Sequence, residues 1–336
     1  MLSIIMPVYN AGRFLGETIE SILNQTYRDF ELIIIDDCST DGSRNVIERY
    51  RNIDDRIKTI FLRKQGGASH GREEGFIAAK GEIISFMDAD DVIHPRMYEL
   101  LCLELDKNGA DIAICDYSIF DKHRKWNSLK DYEIQIYTGF DVAEAMLLGN
   151  CIGSNGVWGK VFKKSLFAQV NYKAYKDIIP TCYFEDGFIL PKVYVNAECV
   201  VHVKEALYGY RVIMQSLSHN LTNGACFLDQ AISGSEMIDF VSVFRNRDTY
   251  NQILGRLVDS SIQCALKAYY SFTKYNDKVK KESAKAIFKD LHQKYKNVCA
   301  SYSKLEAIQF WIFSVSPSLW VFLIGRPYFE VLRHLK

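Results

Sequence analysis

Three carboxylates at the end of an apolar run carry the first chemical signal in this chain. From Ile83 to Asp91 the sequence reads IISFMDADD, so Asp88, Asp90 and Asp91 follow directly on residues patterned for a buried strand. A buried parallel strand of an open α/β sheet delivers its carboxyl end to the ligand crevice. Carboxylates this close repel one another unless a cation joins them, and a hard oxygen set suits Mg²⁺ or Mn²⁺ shared with phosphate oxygens. The ligand class this predicts is a metal-bound diphosphate. Aspartates also end strands and open turns, and the motif by itself leaves both readings standing.

The elements that must position these carboxylates alternate along the chain. Leu2 to Val8 (LSIIMPV) is a β-rich run that closes with Tyr9-Asn10-Ala11-Gly12. Arg13 to Leu23 follows, with Phe14, Leu15, Ile19, Ile22 and Leu23 at helical spacing. A second strand, Phe30 to Ile35, ends in the polar stretch Asp36 to Ser43 and precedes a helix bearing Val46, Ile47 and Tyr50. A third, Ile57 to Leu62, leads to Gly66-Gly67-Ala68-Ser69. Strands alternating with helices predict a parallel sheet with right-handed crossovers, whose polar loops gather along one edge.

Seven segments stand in the order and spacing of one enzyme family. SIIMPVYN, ELIIIDDCSTDGS, GASHGREEGFIAAKG and ISFMDADD are followed by GVWGKVFKKSLF from Gly156, YFEDGFILPKVYVNA from Tyr183 and LYGYRVIMQSLSH from Leu207. Over roughly residues 1 to 220 this resembles the inverting family 2 glycosyltransferases of the GT-A fold, of the kind that builds bacterial cell-surface polysaccharides. The resemblance implies an α/β, Rossmann-like fold with a mostly parallel central sheet and flanking helices. Residues 1–110 would form the nucleotide-sugar half and 111–220 the acceptor half, with 221–336 as a helical C-terminal region.

Residue by residue, the resemblance implies a transfer site. Pro7, Tyr9 and Asn10 would line the nucleotide pocket, and Asp37 would accept hydrogen bonds from a uridine-type base. Asp88 would face the ribose and, with Asp90, hold a Mn²⁺ or Mg²⁺ ion that acts as a Lewis acid on the departing diphosphate. Asp91 would support that pair or cap the helix announced by Pro95. Arg72 would lie near the nucleotide, but Glu73 replaces the asparagine usual beside it and should point elsewhere. Inversion needs one carboxylate to take the acceptor proton, which selects Asp186 as base with Glu185 positioning it. The same pair suits a helix N-terminus, since Phe188, Ile189 and Leu190 follow.

Further along, Trp158 and Lys160, read in a loop-to-helix segment, would meet the acceptor, although a tryptophan more often packs. Tyr210-Arg211 and Ser216 to His219 would form a closing flap. There Arg211 would grip phosphate oxygens or else pair with a core carboxylate, and Ile213 stands where a second basic contact is common.

Composition narrows the setting. The 41 basic and 41 acidic side chains cancel, so no global field favours nucleic acid. Nine cysteines without Cys-x-x-Cys pairs read as reduced core residues. Met1 leads straight into the first strand, which predicts no targeting segment and a cytoplasmic address at the inner face of the membrane. Beyond Leu221 helices are expected from Leu254, Leu257, Val258, Ile262, Leu266 and Tyr269, and from Ile287, Leu291, Tyr295 and Val298, with loops at Asn251 and Asp277.

Ile308 to Ile324 (IQFWIFSVSPSLWVFLI) carries no charge, holds Trp311 and Trp320, and precedes Arg326, Arg333, His334 and Lys336. Broken by Pro317 and too short to span a bilayer comfortably, it predicts a peripheral anchor on anionic lipid. A hairpin packed on the enzyme's own core or on a dimer partner is the alternative. A lipid-linked glycan acceptor, as in capsule or O-antigen assembly, follows from the anchor; a free glycan follows without it. A processive synthase would carry a Gln-x-x-Arg-Trp motif and several membrane helices, and a nucleotidyltransferase a glycine-rich, arginine-bearing first loop. The remaining rival is a silent nucleotide-sugar-binding or scaffolding subunit.

Overall fold

The computed structural model describes residues 1–120, 126, 129, 131–168, 170, 185–213, 224–295, 297, 304–325 and 327. The chain divides into two compact units, Met1–Asp177 with Glu185–Ser216, and Ile178–Phe184 with Leu217–Lys336.

In the first unit, β1 (Leu2–Val8) and β2 (Phe30–Asp36) are almost wholly apolar because helices cover both faces of a parallel sheet. They pair in parallel, flanked by β3 (Ile57–Phe61) on β2 and β4 (Ile83–Phe86) on β1. The register sets Val8 opposite Asp36 and Ile5 opposite Phe86, so the loops after β1, β2 and β4 leave the sheet along one edge. The crossovers are α1 (Gly12–Leu23), α2 (Ser43–Arg51) and α3 (Gly67–Ala78).

Past β4 the sheet becomes mixed. Two-residue β5 (Val92–Ile93) and α4 (Met97–Lys107) lead to β6 (Ile112–Phe120), β7 (Ile134–Tyr137) and α5 (Gly139–Leu148). Then come β8 (Lys160–Lys163), α6 (Glu185–Tyr194) and β9 (Val200–Arg211). The order is β3-β2-β1-β4-β8-β6-β9-β5, with β7 also on β9. β8 runs antiparallel to β4 and β6, whereas β6 and β9 are parallel across a bulge at Asp116. The Trp158–Lys160 segment therefore enters a strand, followed by a 3₁₀ turn at Lys164–Phe167, and not the helix its apolar residues suggest. A strand there fills the gap between β4 and β6 and buries Val161 and Phe162.

The described part of the second unit is helical: α7 (Gly224–Phe240), α8 (Tyr250–Lys274), α9 (Lys278–Lys294), α10 (Lys304–Val315) and α11 (Pro317–Trp320), then a π-helical turn at Val321–Gly325. Asn251, expected in a loop, lies in the first turn of α8. Asp277 caps α9, its side chain accepting from the Lys280 amide. Pro317 does break the apolar run: Ser316 caps α11 and Pro317 takes its first turn, where a missing N–H costs nothing.

That run has two faces. Phe310, Phe313 and Trp320 are buried, with the Phe313 ring 4.9 Å from Tyr269 and 4.5 Å from Phe288. Ile308, Trp311, Val315, Leu319, Phe322 and Leu323 are exposed. Among the described residues, no helix is long and apolar enough to cross a membrane.

Candidate active site

The loop edge is built by mutual capping. α1 has no capping side chain of its own, and the loop after β2 supplies one: Asp41 Oδ2 accepts from the Gly12 amide at 2.9 Å and Ser43 Oγ from Ala11 at 2.9 Å. Asn10 adopts the left-handed conformation (φ 51°) and turns its Oδ1 to the Thr40 amide at 2.8 Å. Tyr9 stays exposed beside it. Asp36 closes its own turn on the Ser39 amide. Buried Asp37 accepts from the Gly66 and Gly67 amides, both at 2.8 Å, and so caps α3. Each of its oxygens keeps one lone pair for a further donor.

Two glycines then seat α3 on the sheet. A Cβ at Gly71 would come within 2.8 Å of Pro7 Cβ, and one at Gly75 within 2.4 Å of Ile5 Cγ2. This close approach carries the Arg72 guanidinium to the carboxylate loop, where Nη2 donates to Asp88 Oδ1 at 2.9 Å and Nη1 lies 3.5 Å from Asp186 Oδ1. Arg72 thus touches both the diphosphate candidate and the base candidate. Glu73 turns to His70, with Oε2 3.7 Å from its Nδ1.

The carboxylate loop is held from several sides. Thr18 Oγ1 on α1 donates to the Ala89 carbonyl at 3.0 Å. Asp91 is fully buried and accepts from the Tyr208 hydroxyl and from the Arg211 amide, each at 2.7 Å, so it ties β9 to the loop. Burial, and then the Asp88 charge, push the Asp90 carboxyl up to about 6. The same two causes and Asp90 itself push Asp91 well above the usual carboxylate range.

Asp186 lies in the first turn of α6, its Oδ2 accepting from the Val157 amide at 3.3 Å. Burial raises its carboxyl most; Arg72 opposes that and Asp88 reinforces it, leaving the group above its ordinary value. Glu185 opens the same helix, but its side chain lies outside the described residues, as do Ser216 to His219. Trp158 stacks on Tyr208 (4.5 Å between ring centroids, 18°) and Tyr210 (5.5 Å, 22°), with Tyr117 edge-on at 5.1 Å.

Two expected ligand contacts are corrected by the packing. Lys160 is 0% exposed, and its ammonium donates to the Ser154 hydroxyl and Gly156 carbonyl, both at 2.7 Å, and to the Ser154 and Trp158 carbonyls. It organises the Trp158 loop and leaves no donor for an acceptor sugar. Arg211 is 3% exposed: Nη2 meets Glu17 Oε2 at 2.7 Å, Nε meets the Asp90 carbonyl at 2.7 Å, and Phe14 and Phe120 sandwich the guanidinium. Of its two sequence readings the carboxylate partner is the one realised, although that partner, Glu17, is 42% exposed at its side chain and does not lie in the core. Sequence reasoning missed Glu17, Tyr208 and Tyr117. The alternation of Tyr208 and Tyr210 along β9 was the available signal, because period-two aromatics share a sheet face.

A family profile described as Glycosyl transferase family 2 matches residues 3–167. Glycosyltransferase GlyG of Streptococcus pneumoniae serotype 4 is 30% identical over 225 residues, 63% of this chain and 70% of that protein. Poly(ribitol-phosphate) beta-N-acetylglucosaminyltransferase TarP of Staphylococcus aureus is 29% identical over 324 residues, 92% of this chain and 95% of its own. Other curated relatives align over 31% to 63% of their own length. The crystal structure of S. aureus TarS with UDP-GlcNAc superposes with a TM-score of 0.56 at 17% identity, covering 87% of this chain and 91% of that one.

Proposed function

The chain belongs to glycosyltransferase family 2 and has the GT-A fold, and we propose that it moves one sugar from a nucleoside-diphosphate donor to a glycan hydroxyl with inversion. Arg72 carries this reading: one guanidinium contacts Asp88 of the carboxylate loop and Asp186 of the opposite wall. The diphosphate would leave over the first while the second takes the incoming proton. As the acceptor oxygen bonds to the anomeric carbon, the bond from that carbon to the diphosphate oxygen breaks and the hydroxyl proton passes to Asp186. A carboxyl raised above its ordinary range is a stronger base near neutral pH, which suits that role.

The chemistry of two neighbouring carboxylates, Asp88 and Asp90, supports a divalent ion in this reading. No group of three His, Cys, Asp or Glu is gathered for a metal among the described residues; in this reading Asp88 and Asp90 alone would supply protein oxygens to the ion, and phosphate oxygens and water would complete its shell, as Mg²⁺ and Mn²⁺ prefer. Asp90, burdened by burial and the Asp88 charge, is the carboxyl such an ion would relieve. When bound, it would stabilise negative charge on the leaving diphosphate.

A uridine donor is supported by the TarS complex with UDP-GlcNAc and by the spare lone pairs of Asp37 beside Tyr9 and Asn10. A cell-surface polymer acceptor is supported by the relatives' names, which print teichuronic acid biosynthesis and poly(ribitol-phosphate); a lipid link would follow from attachment at a membrane. Trp158, backed by buried Tyr208 and flanked by Tyr117 and Tyr210, would form the acceptor's aromatic wall. The exposed apolar face of α10, α11 and the π turn would rest on the membrane surface. Hydrolysis of UDP-sugars, followed by mass spectrometry with and without Mn²⁺, tests the donor. No turnover of any nucleotide sugar by the full chain would overturn the reading.

A further inference from the structure

The helical unit carries a cleft of its own, of about 340 Å³, within the roughly 300–1,000 Å³ of small-ligand sites. Asp259, Gln263 and Lys267 recur every four residues on α8 and form one wall. Glu306 and Gln309, three apart on α10, line it too. Trp320 lines it as well, where α11 passes into the π-helical turn, a geometry frequent at functional sites.

Two polar atoms here lack a hydrogen-bond partner among the described residues: Asp259 Oδ1 and Trp320 Nε1, the latter on a side chain only 3% exposed. Burial, and then the Glu306 charge, hold the Asp259 carboxyl above its usual range. Buried donors and acceptors left unpaired destabilise a fold, and a ligand that pairs them is favoured accordingly. That ligand must donate to Asp259 and accept from the indole N–H, which a hydroxyl does both ways. Among the described lining residues two carboxylates, Asp259 and Glu306, stand with one ammonium, Lys267, a balance that disfavours phosphate and other anions. Leu266 and Ile324 add apolar surface suited to the C–H faces of a sugar ring.

We propose that this cleft binds a neutral saccharide, a unit or two of a glycan, at a site separate in the chain from the residues assigned to transfer. The saccharide class rests on the transferase reading; the cleft and its unpaired atoms do not. Saturation-transfer NMR on the full chain, with excess uridine diphosphate present, would use cellobiose, lactose and N,N′-diacetylchitobiose as probes. At least one should receive magnetisation, and Asp186→Asn should leave that signal intact. Gln263→Ala, at a half-buried position that tolerates truncation, and Trp320→Phe, which keeps the ring but removes the donor, should each weaken affinity about tenfold. Circular dichroism would verify that both variants are folded. No signal from any probe, signals unchanged in both variants, or displacement of the sugar by spermidine or inorganic phosphate would each overturn the proposal. Donor hydrolysis measured on the same samples separates the two failures, because loss of hydrolysis with saccharide binding retained would sink the transferase reading alone.

Discussion

At the scale of single residues, the site is a set of carboxylates whose charges are balanced unequally. Asp186 sits between burial and Asp88, which disfavour its charge, and Arg72, which favours it. Its folded value is raised, so the carboxylate proposed as base is protonated as pH falls through that value, earlier than an ordinary carboxylate would be. The rate should therefore show an acid limb that Asp186→Asn abolishes, with turnover down about a hundredfold or more and donor binding retained. Stopped assays across pH together with calorimetry would check both parts; turnover within a few-fold of the parent would make Asp186 structural. Arg72→Met removes the opposing charge and should move the acid limb to higher pH. Asp90→Ala should abolish the Mn²⁺ dependence of donor binding, read by calorimetry with and without the ion, because one of the two proposed carboxylate ligands is gone. A different strain lies at Cys38, whose φ of 63° is the left-handed region, disfavoured by about 1–2 kcal/mol for a side chain with a Cβ. Cys38→Gly should keep or raise the melting temperature, and Cys38→Val should lower it, since β-branching tolerates that conformation least.

At the scale of elements, the carboxylate loop is a product of its neighbours. Strand β4 ends two residues before Asp88, but the loop's shape comes from Thr18 on α1 and from Tyr208 and the Arg211 amide on β9. Arg211→Met would break the half-solvated pair with Glu17 and the bond from the buried guanidinium to the Asp90 carbonyl. It should cost about 1–3 kcal/mol, the range for hydrogen bonds lost from a charged group, because the Glu17 carboxylate left behind is solvated. Denaturant unfolding would measure this, and an unchanged midpoint would deny Arg211 its anchoring role. These elements show which parts of the architecture were legible. The apolar runs of β1, β2 and β4 and the polar residues closing them are local patterns, so the parallel half of the sheet and its loop edge could be read directly. Lys160 could not, because four acceptors within six residues gather around its ammonium only after Gly159 turns back at φ 69°. Nor could the choice at Arg211, whose partner Glu17 lies 194 residues away and enters through tertiary packing alone. Asn251 misled for the opposite reason, since a turn-favouring residue is tolerated in a first helical turn.

For the whole molecule, the apolar C-terminal run has a divided role that decides how its membrane reading must be tested. Removing everything from Ile308 onward would strip Phe310, Phe313 and Trp320 from a core they share with Tyr269 and Phe288, so loss of lipid binding would be confounded with unfolding. The outer face separates the two effects. Trp311 is 65% and Phe322 69% exposed, and neither has a part in that core. The double variant Trp311→Ser, Phe322→Ser should melt within a few degrees of the parent, since exposed substitutions change stability by only about 0.5 kcal/mol. It should nonetheless fail to float with anionic liposomes, because an interfacial anchor draws its affinity from aromatic and apolar area at headgroup depth. Flotation of the parent should also weaken in high salt, as the contribution of Arg326, Arg333 and Lys336 is screened. Transfer to a short soluble acceptor should persist, because every residue assigned to the chemistry precedes position 220. If parent and variant float equally, the face is not an anchor. If neither floats but the parent alone forms a larger species by light scattering, the same apolar surface covers a second copy of the chain, and the membrane assignment falls.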